Sequence, residues 1–285
     1  MLQFARAKKI GAGYWARALT QVQTLPLAIV EPSIAPKPRV IVRGFGAGQI
    51  RVDDKPVTKS DWESAATKEL FFFLLAHPEG QRKDQLLEEL WSAMPAAKAN
   101  GVFHSTAWRL RRAVLPDCLV YADGVYRINP AVELDFDVAQ FEALVRQAEH
   151  AANDADRAEA YRRALALYAG DYLEDCGSAW CVPIRSALAQ SYLTALLARA
   201  DLVAQQRAFA EAIALYQRAL AKDNYREEVY RALMRAQMRA GDRSGAIATF
   251  QHCAHILQSE LHLAPSAETQ TLFERILADD PALAQ

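Results

Sequence analysis

Four cationic side chains, Lys98, Arg109, Arg111 and Arg112, fall between positions 98 and 115, and no acidic residue lies among them. A guanidinium stays charged at any physiological pH. Its planar fork of donors fits a phosphate or the edge of a guanine. Such residues, grouped without counter-charge, suit a polyanion. The same stretch has helical spacing: Phe103, Ala107, Leu110 and Val114 recur at i, i+4, i+7 and i+11 and would form one apolar face. Gly101, Ser105, Trp108 and Arg112 lie opposite, with His104, Arg109 and Arg111 on the flanks. A helix built this way can dock on a small core and turn its other side to a groove lined with phosphates. The plainer reading is a surface helix with its arginines in water, although such helices usually mix both charge signs.

The helix needs elements to hold it. Strand-like runs precede it at 40–42, 49–52 and 56–58, with Asp53-Asp54-Lys55 as the turn between the last two. Helices are predicted at about 64–77, with Leu70, Phe71, Leu74 and Leu75 apolar, and at about 83–91, with Leu86, Leu87, Leu90 and Trp91 buried. Pro78-Glu79-Gly80 separates them. After Pro116 the runs 119–122 and 125–128 flank Asp123-Gly124, a hairpin signal because both turn residues need positive φ. Alternation turns Tyr126 and Ile128 inward and Arg127 outward. The order of small sheet, three helices and hairpin is that of a winged helix-turn-helix. Its third helix would read the major groove, and its hairpin, carrying Arg127, would reach the flanking backbone or minor groove. A small α+β domain using the same surface for protein contacts is the alternative.

The chain has 285 residues, 52% of them hydrophobic and 24% charged, which is enough for two cores. The net charge of −1 conceals a gradient. Residues 1–36 and 37–131 each carry +3, whereas 132–285 carry 15 basic and 22 acidic residues. A polyanion therefore belongs with the front half. Residues 1–25 fit one amphipathic helix, and 26–38, with four prolines, an extended linker. No apolar run suits a membrane span and no signal peptide is evident, so a cytoplasmic protein without membrane contact is expected. The four cysteines, Cys118, Cys176, Cys181 and Cys253, are expected as free thiols, and only Cys176 and Cys181 are close in sequence. His252, Cys253 and His255 point in different directions on a helix, so no metal or other cofactor is expected.

From Leu134 onward the composition is helical and alanine-rich. Residues 209–223 and 243–257 superpose at an offset of 34, the tetratricopeptide period, which aligns Ala212 with Ala246 and Tyr216 with Phe250. Residues 157–171 resemble the same helix, and the irregular stretch 171–183 breaks the spacing. That stretch, with Trp180, is a candidate partner edge or a plug between repeats. The expected architecture is mainly α with a small α+β domain. An extension occupies 1–36, a winged helix-turn-helix 37–131 and tetratricopeptide-like repeats 132–285.

In this order the chain from about 39 to 278 resembles the bacterial transcriptional activators of the antibiotic-regulatory-protein type (SARP). The resemblance rests on Lys68-Glu69-Leu70, Leu90-Trp91, His104-Ser105-Thr106 with Arg109–Arg112, Tyr126-Arg127-Ile128, Leu134–Asp137 with Phe141-Glu142, Leu167–Leu173, Trp180, Arg231–Met234 with Gly241-Asp242, and Pro265-Ser266. Asp54 and His262 stand where that family usually has glycine. The resemblance implies an OmpR-like winged helix followed by a bacterial transcriptional activator domain, DNA binding by the front and contact with RNA polymerase. The candidate contacts with double-stranded DNA are His104, Ser105, Trp108, Arg109, Arg111, Arg112 and Arg127, to which the resemblance adds Lys68. A homodimer on tandem sites is a further expectation. An enzyme is excluded on motif grounds, since GxxxxGK[ST], HExxH and GxSxG are all missing. Gly44–Gly48 is glycine-rich but lacks the helix and lysine of a phosphate loop. The competing readings are a helical-repeat scaffold and the effector part of a larger nucleotide-binding regulator.

Overall fold

The computed structural model describes residues 38–283. The helix expected over 1–25 and nearly all of the linker expected over 26–38 lie outside the described residues. β1 (Val40–Arg43) and β2 (Gln49–Val52) pair antiparallel, with Val40 opposite Val52. Asp53 and Asp54 turn the chain at φ 48° and 64° into the short β3 (Lys55–Pro56). β3 ends early because the Thr58 N–H donates to the Asp61 carboxylate, 2.7 Å away, and starts an unanticipated helix, α1 (Lys59–Trp62). The fourth strand, β6 (Leu134–Phe136), arrives from beyond the hairpin and pairs parallel with β1, giving the order β3-β2-β1-β6.

Three helices lie between. α2 (Ala65–Ala76) carries a run from Leu70 to Leu74 that is buried all round. Its pattern is not amphipathic because the helix over residues 96–113 covers one side and residues 172–180 cover another. α3 (Lys83–Trp91) buries Leu86 and Trp91, leaving Leu87 and Leu90 half-buried. α4 (Ala96–Ala113) buries Ala99, Phe103, Ala107 and Leu110. β4 (Leu119–Ala122) and β5 (Val125–Ile128) form the hairpin, and its turn residues Asp123 and Gly124 stand at φ 55° and 81°. Gln81 pairs with Tyr126 through both backbone bonds, 2.9 and 2.8 Å, and so pins the hairpin to the start of α3.

The back half is a stack of helix pairs: α5 (Asp137–Glu149) with α6 (Asp154–Leu167), α7 (Cys181–Gln205) with α8 (Phe209–Lys222), and α9 (Glu227–Arg239) with α10 (Arg243–Ile256), closed by α11 (Ala267–Leu277). The repeat-related Ala212 and Ala246 are both fully buried, where a larger side chain would hold the paired helices apart. His262, after the last turn beyond α10, sits at φ 57°. No helix among the described residues is long and apolar enough to cross a membrane.

No linker parts the halves near position 131. The Asp137 carboxylate accepts the Gly44, Phe45 and Val138 N–H groups at 2.7, 3.3 and 2.8 Å. Gly46 N–H donates to Asp171 O, and Leu173 and Glu174 N–H donate to Gly44 O and Gly46 O. The glycine-rich 44–48 stretch therefore serves close approach, with the Gly44, Phe45, Gly46 and Gly48 N–H groups turned to acceptors of the back half. A Cβ on Gly48 would lie 2.6 Å from Leu173 and 2.8 Å from Phe72. One continuous core runs from Val40 to Ala236, and the residues from Pro38 onward cluster as a single compact unit.

Candidate nucleic-acid interface

α4 is positioned by what it buries. Phe103 meets Trp91 of α3 and Tyr126 of the wing edge-on, at 6.2 and 4.8 Å between ring centres. Ala107 and Leu110 are buried and α4 packs on α2, so the opposite side is turned outward. That side carries Gly101, His104, Ser105, Trp108 and Arg112, all exposed. The helix from Ala96 to Ala113 contains no acidic residue.

The outward side chains are partly engaged. Trp108, 57% exposed, lies beneath the Arg112 guanidinium, 5.1 Å from the ring centre. Arg112 and Arg109 both reach one carboxylate, that of Glu63, at 2.9 and 3.0 Å. Lys83 Nζ lies 2.9 Å from His104 Nε2, which brings a further basic group to the edge of the face. Ser105 Oγ donates to Val102 O within its own helix and keeps its lone pairs outward. Among the described residues no group of His, Cys, Asp and Glu could hold a metal ion.

Three expected contacts sit differently. Arg111 turns back into the protein: its Nε and Nη2 donate to Leu119 O at 3.2 and 3.0 Å and tie α4 to the wing. Arg127 is half-buried, with Nε enclosed and no hydrogen-bond partner among the described residues, and Nη2 3.7 Å from Asp123. β5 is half-buried along its whole length, so alternation does not free Arg127. Lys68 lies on α2, 2.5 Å from Asp175, at the seam between the halves and not with the α4 face. The stretch 171–183 packs on the front half. Its Trp180 is buried against Phe73 of α2, 5.2 Å away, and donates to Glu69 at 3.0 Å.

Glu63, Lys83 and Tyr121 escaped the sequence reading. Glu63 stands 46 positions from Arg109, and no local pattern joins them. Tyr121, 61% exposed on the wing, was within reach, since the hairpin register pairs it with Tyr126.

A helix-turn-helix with a pinned hairpin, continuous with stacked helical pairs, defines a winged-helix domain fused to a helical-repeat domain. Residues 136–277 match the family model described as "Bacterial transcriptional activator domain". The chain is 31% identical over 204 residues to the regulatory protein AfsR of Streptomyces coelicolor, a match that covers 70% of this chain and 20% of that protein. It is 28% identical over 213 residues to the regulatory protein DnrI of Streptomyces peucetius, covering 70% of this chain and 78% of DnrI. The chain thus spans about a fifth of AfsR but most of DnrI. Its fold is similar to that of Mycobacterium tuberculosis EmbR, solved with a low-affinity phosphopeptide, at a TM-score of 0.67 and 21% identity over 87% of this chain and 69% of that one. Residues 136–277 thus carry a bacterial transcriptional activator domain, and the chain as a whole is similar to the SARP-type regulators.

Proposed function

We propose that the chain is a cytoplasmic, sequence-specific activator that binds double-stranded DNA through α4 and the β4–β5 wing. In this reading α4 enters the major groove with Ser105, Trp108, Arg109 and Arg112 toward base edges and phosphates, and His104 and Lys83 at its margin. Tyr121 and the wing tip lie over the flanking backbone. The observation that carries the reading is the outward face of α4, which is exposed, polar and cationic on a helix without an acid. The back half, at 15 basic to 22 acidic residues, is repelled by DNA and suits protein partners, namely RNA polymerase and a second copy on a tandem half-site.

Selection of bound duplexes from a random pool with the full chain tests this. Wild type should enrich one motif. Arg109→Ala and Arg112→Ala should each lose about 1–3 kcal/mol where a base contact is removed, or flatten the salt dependence by about one unit where only a phosphate contact is lost. No enrichment, together with salt dependence unchanged in both variants, would leave the scaffold reading standing. That reading has one feature in its favour: a groove of about 770 Å³ between α8, α9 and α10, lined by Gln217, Asn224, Gln237, Thr249 and His252.

A further inference from the structure

The seam contains a pair of thiols that DNA recognition does not use. Cys176 lies in the 171–180 stretch and Cys181 opens α7, and their sulfurs are 2.9 Å apart, with the Cys181 S–H donating to Cys176. A disulfide needs about 2.05 Å between sulfurs, so little movement closes the bond. The two differ in access. Cys181 is buried. Cys176 is half-buried and lines a surface cleft of about 290 Å³ bounded by Lys68, Phe72 and Trp180. The loop is held from below, since Arg185 donates to Tyr172 O, Leu173 O and Cys176 O at 2.7, 2.6 and 2.8 Å. Cys118 and Cys253 are free and buried elsewhere, and the Cys118 S–H donates to Leu110 O.

We propose that Cys176 and Cys181 are an oxidisable dithiol, with Cys176 reacting with a hydroperoxide that enters by the cleft and Cys181 closing an intramolecular disulfide. The Cys176 thiolate attacks one peroxide oxygen and the O–O bond breaks. Cys176 becomes a sulfenic acid, and the departing oxygen takes up the proton that the Cys176 thiol released and leaves as water or, from an organic peroxide, as an alcohol. The Cys181 sulfur then attacks the Cys176 sulfur, the S–O bond breaks, and the hydroxide leaves as water with the Cys181 proton. Two thiols lose two electrons and one peroxide gains them. Burial, and then the bond to Cys176, push the Cys181 thiol well above its ordinary range, so Cys181 enters as the S–H partner in the second step. The bridge would span Gly177 to Trp180, the loop whose Ser178 and Trp180 hold Glu69 of α2. It would fasten the contact that joins the DNA-binding half to the repeats.

The test is a hydrogen peroxide titration of the full folded chain, followed by alkylation of remaining thiols and peptide mapping by mass spectrometry. The expected result is loss of alkylation at Cys176 and Cys181 together, with a peptide linking them, while Cys118 and Cys253 remain alkylatable. Cys181→Ser should hold Cys176 as a sulfenic acid that a dimedone probe captures, and Cys176→Ser should leave Cys181 alkylatable at the same dose. Wild-type Cys176 accumulating as sulfinic acid while Cys181 stays alkylatable would overturn the proposal. So would all four cysteines disappearing at one rate, a readout that does not depend on either variant folding.

Discussion

Glu63 sets the charge that α4 offers. It satisfies Arg109 and Arg112 at once, and all three side chains remain partly exposed, so the pairing is worth about 0–1 kcal/mol and a phosphate can compete for it. Glu63→Gln removes the competitor. The variant should bind non-specific duplex several-fold more tightly, with a log-affinity against log-salt slope steeper by about one unit for each phosphate newly engaged. Fluorescence anisotropy across a salt series measures both, and an unchanged slope would mean that neither arginine meets a phosphate. Arg111 behaves oppositely. Arg111→Ala loses two charge-assisted bonds to Leu119 O and should destabilise the fold by about 1.5–3 kcal/mol, leaving the salt slope as it was. A flatter slope with an unchanged melting temperature would restore Arg111 to the DNA-contact set. The helical spacing of Phe103, Ala107, Leu110 and Val114 made the two faces of α4 legible in sequence. The share of each arginine was not legible, because Glu63 and Leu119 O reach α4 through the tertiary fold.

Elements were readable in proportion to how local their causes are. α3, α4 and the Asp123-Gly124 hairpin follow from apolar periodicity and turn chemistry within a few residues, and α2 from its continuous apolar run. β6 is three residues long, and its partner β1 lies more than ninety positions earlier, so nothing nearby announces it. Separation in sequence also hid the role of Gly44–Gly48, where the sequence offers glycines but not Leu173, Tyr172 and Phe72, which press against them. At Gly48 both neighbouring side chains stand closer than a Cβ permits. Gly48→Ala should therefore overpack the seam and cost about 1–3 kcal/mol. Thermal denaturation of the full chain checks this, and a variant as stable as wild type would mean that Leu173 and Phe72 give way freely. Gly101 on the exposed face of α4 is the control: nothing lies within 4 Å of the place a Cβ would take there, and Gly101→Ala should stabilise the helix by up to about 1 kcal/mol.

The molecule over residues 38–283 behaves as one body because backbone, carboxylates and core all cross the seam. Several seam carboxylates sit in fields that move their titration. Arg43, hydrogen-bonded to Asp135, holds that carboxyl below its ordinary value near 3.8. At Asp175 burial pushes upward, but the bonds from Lys68 and the Gly48 N–H outweigh it and leave the group lowered. Groups with lowered folded values contribute stability above the ordinary carboxylate range, and that contribution is lost as pH falls through the folded value. Asp137 runs the other way. Burial raises it against its three N–H donors, so its contribution is present below 3.8 and is lost as pH rises through its folded value. Asp135 and Asp175 should therefore cost the chain stability as pH falls below about 4, against an opposite slope from Asp137. Asp175→Asn should be less stable than wild type near neutrality and show a shallower acid decline in urea melts taken from pH 7 to pH 3. An equal or steeper decline would remove Asp175 from the seam's electrostatics.

The same unity bears on where the chain can be cut. A fragment ending at 131 keeps every residue of the α4 face but loses β6, the Asp137 carboxylate and the 172–180 stretch. Val40, Val42 and Phe45, buried in the whole chain, would lose much of their cover. The Gly44 and Phe45 N–H groups would lose the carboxylate that receives them. Each buried donor left unpaired costs about 1–3 kcal/mol, and exposed apolar area adds about 25 cal/mol for each Å² uncovered. Together these are comparable with the 5–15 kcal/mol that holds a typical domain folded. Residues 38–131 alone should therefore be largely unfolded or aggregated, and residues 38–283 should melt in one transition seen alike by far-ultraviolet circular dichroism and by tryptophan fluorescence. Asp137→Ala in the long form should lower that single transition without splitting it. A 38–131 fragment that melts cooperatively near the temperature of the long form, or an Asp137→Ala protein with two separated transitions, would show that the halves fold independently and that the seam is only a contact between them.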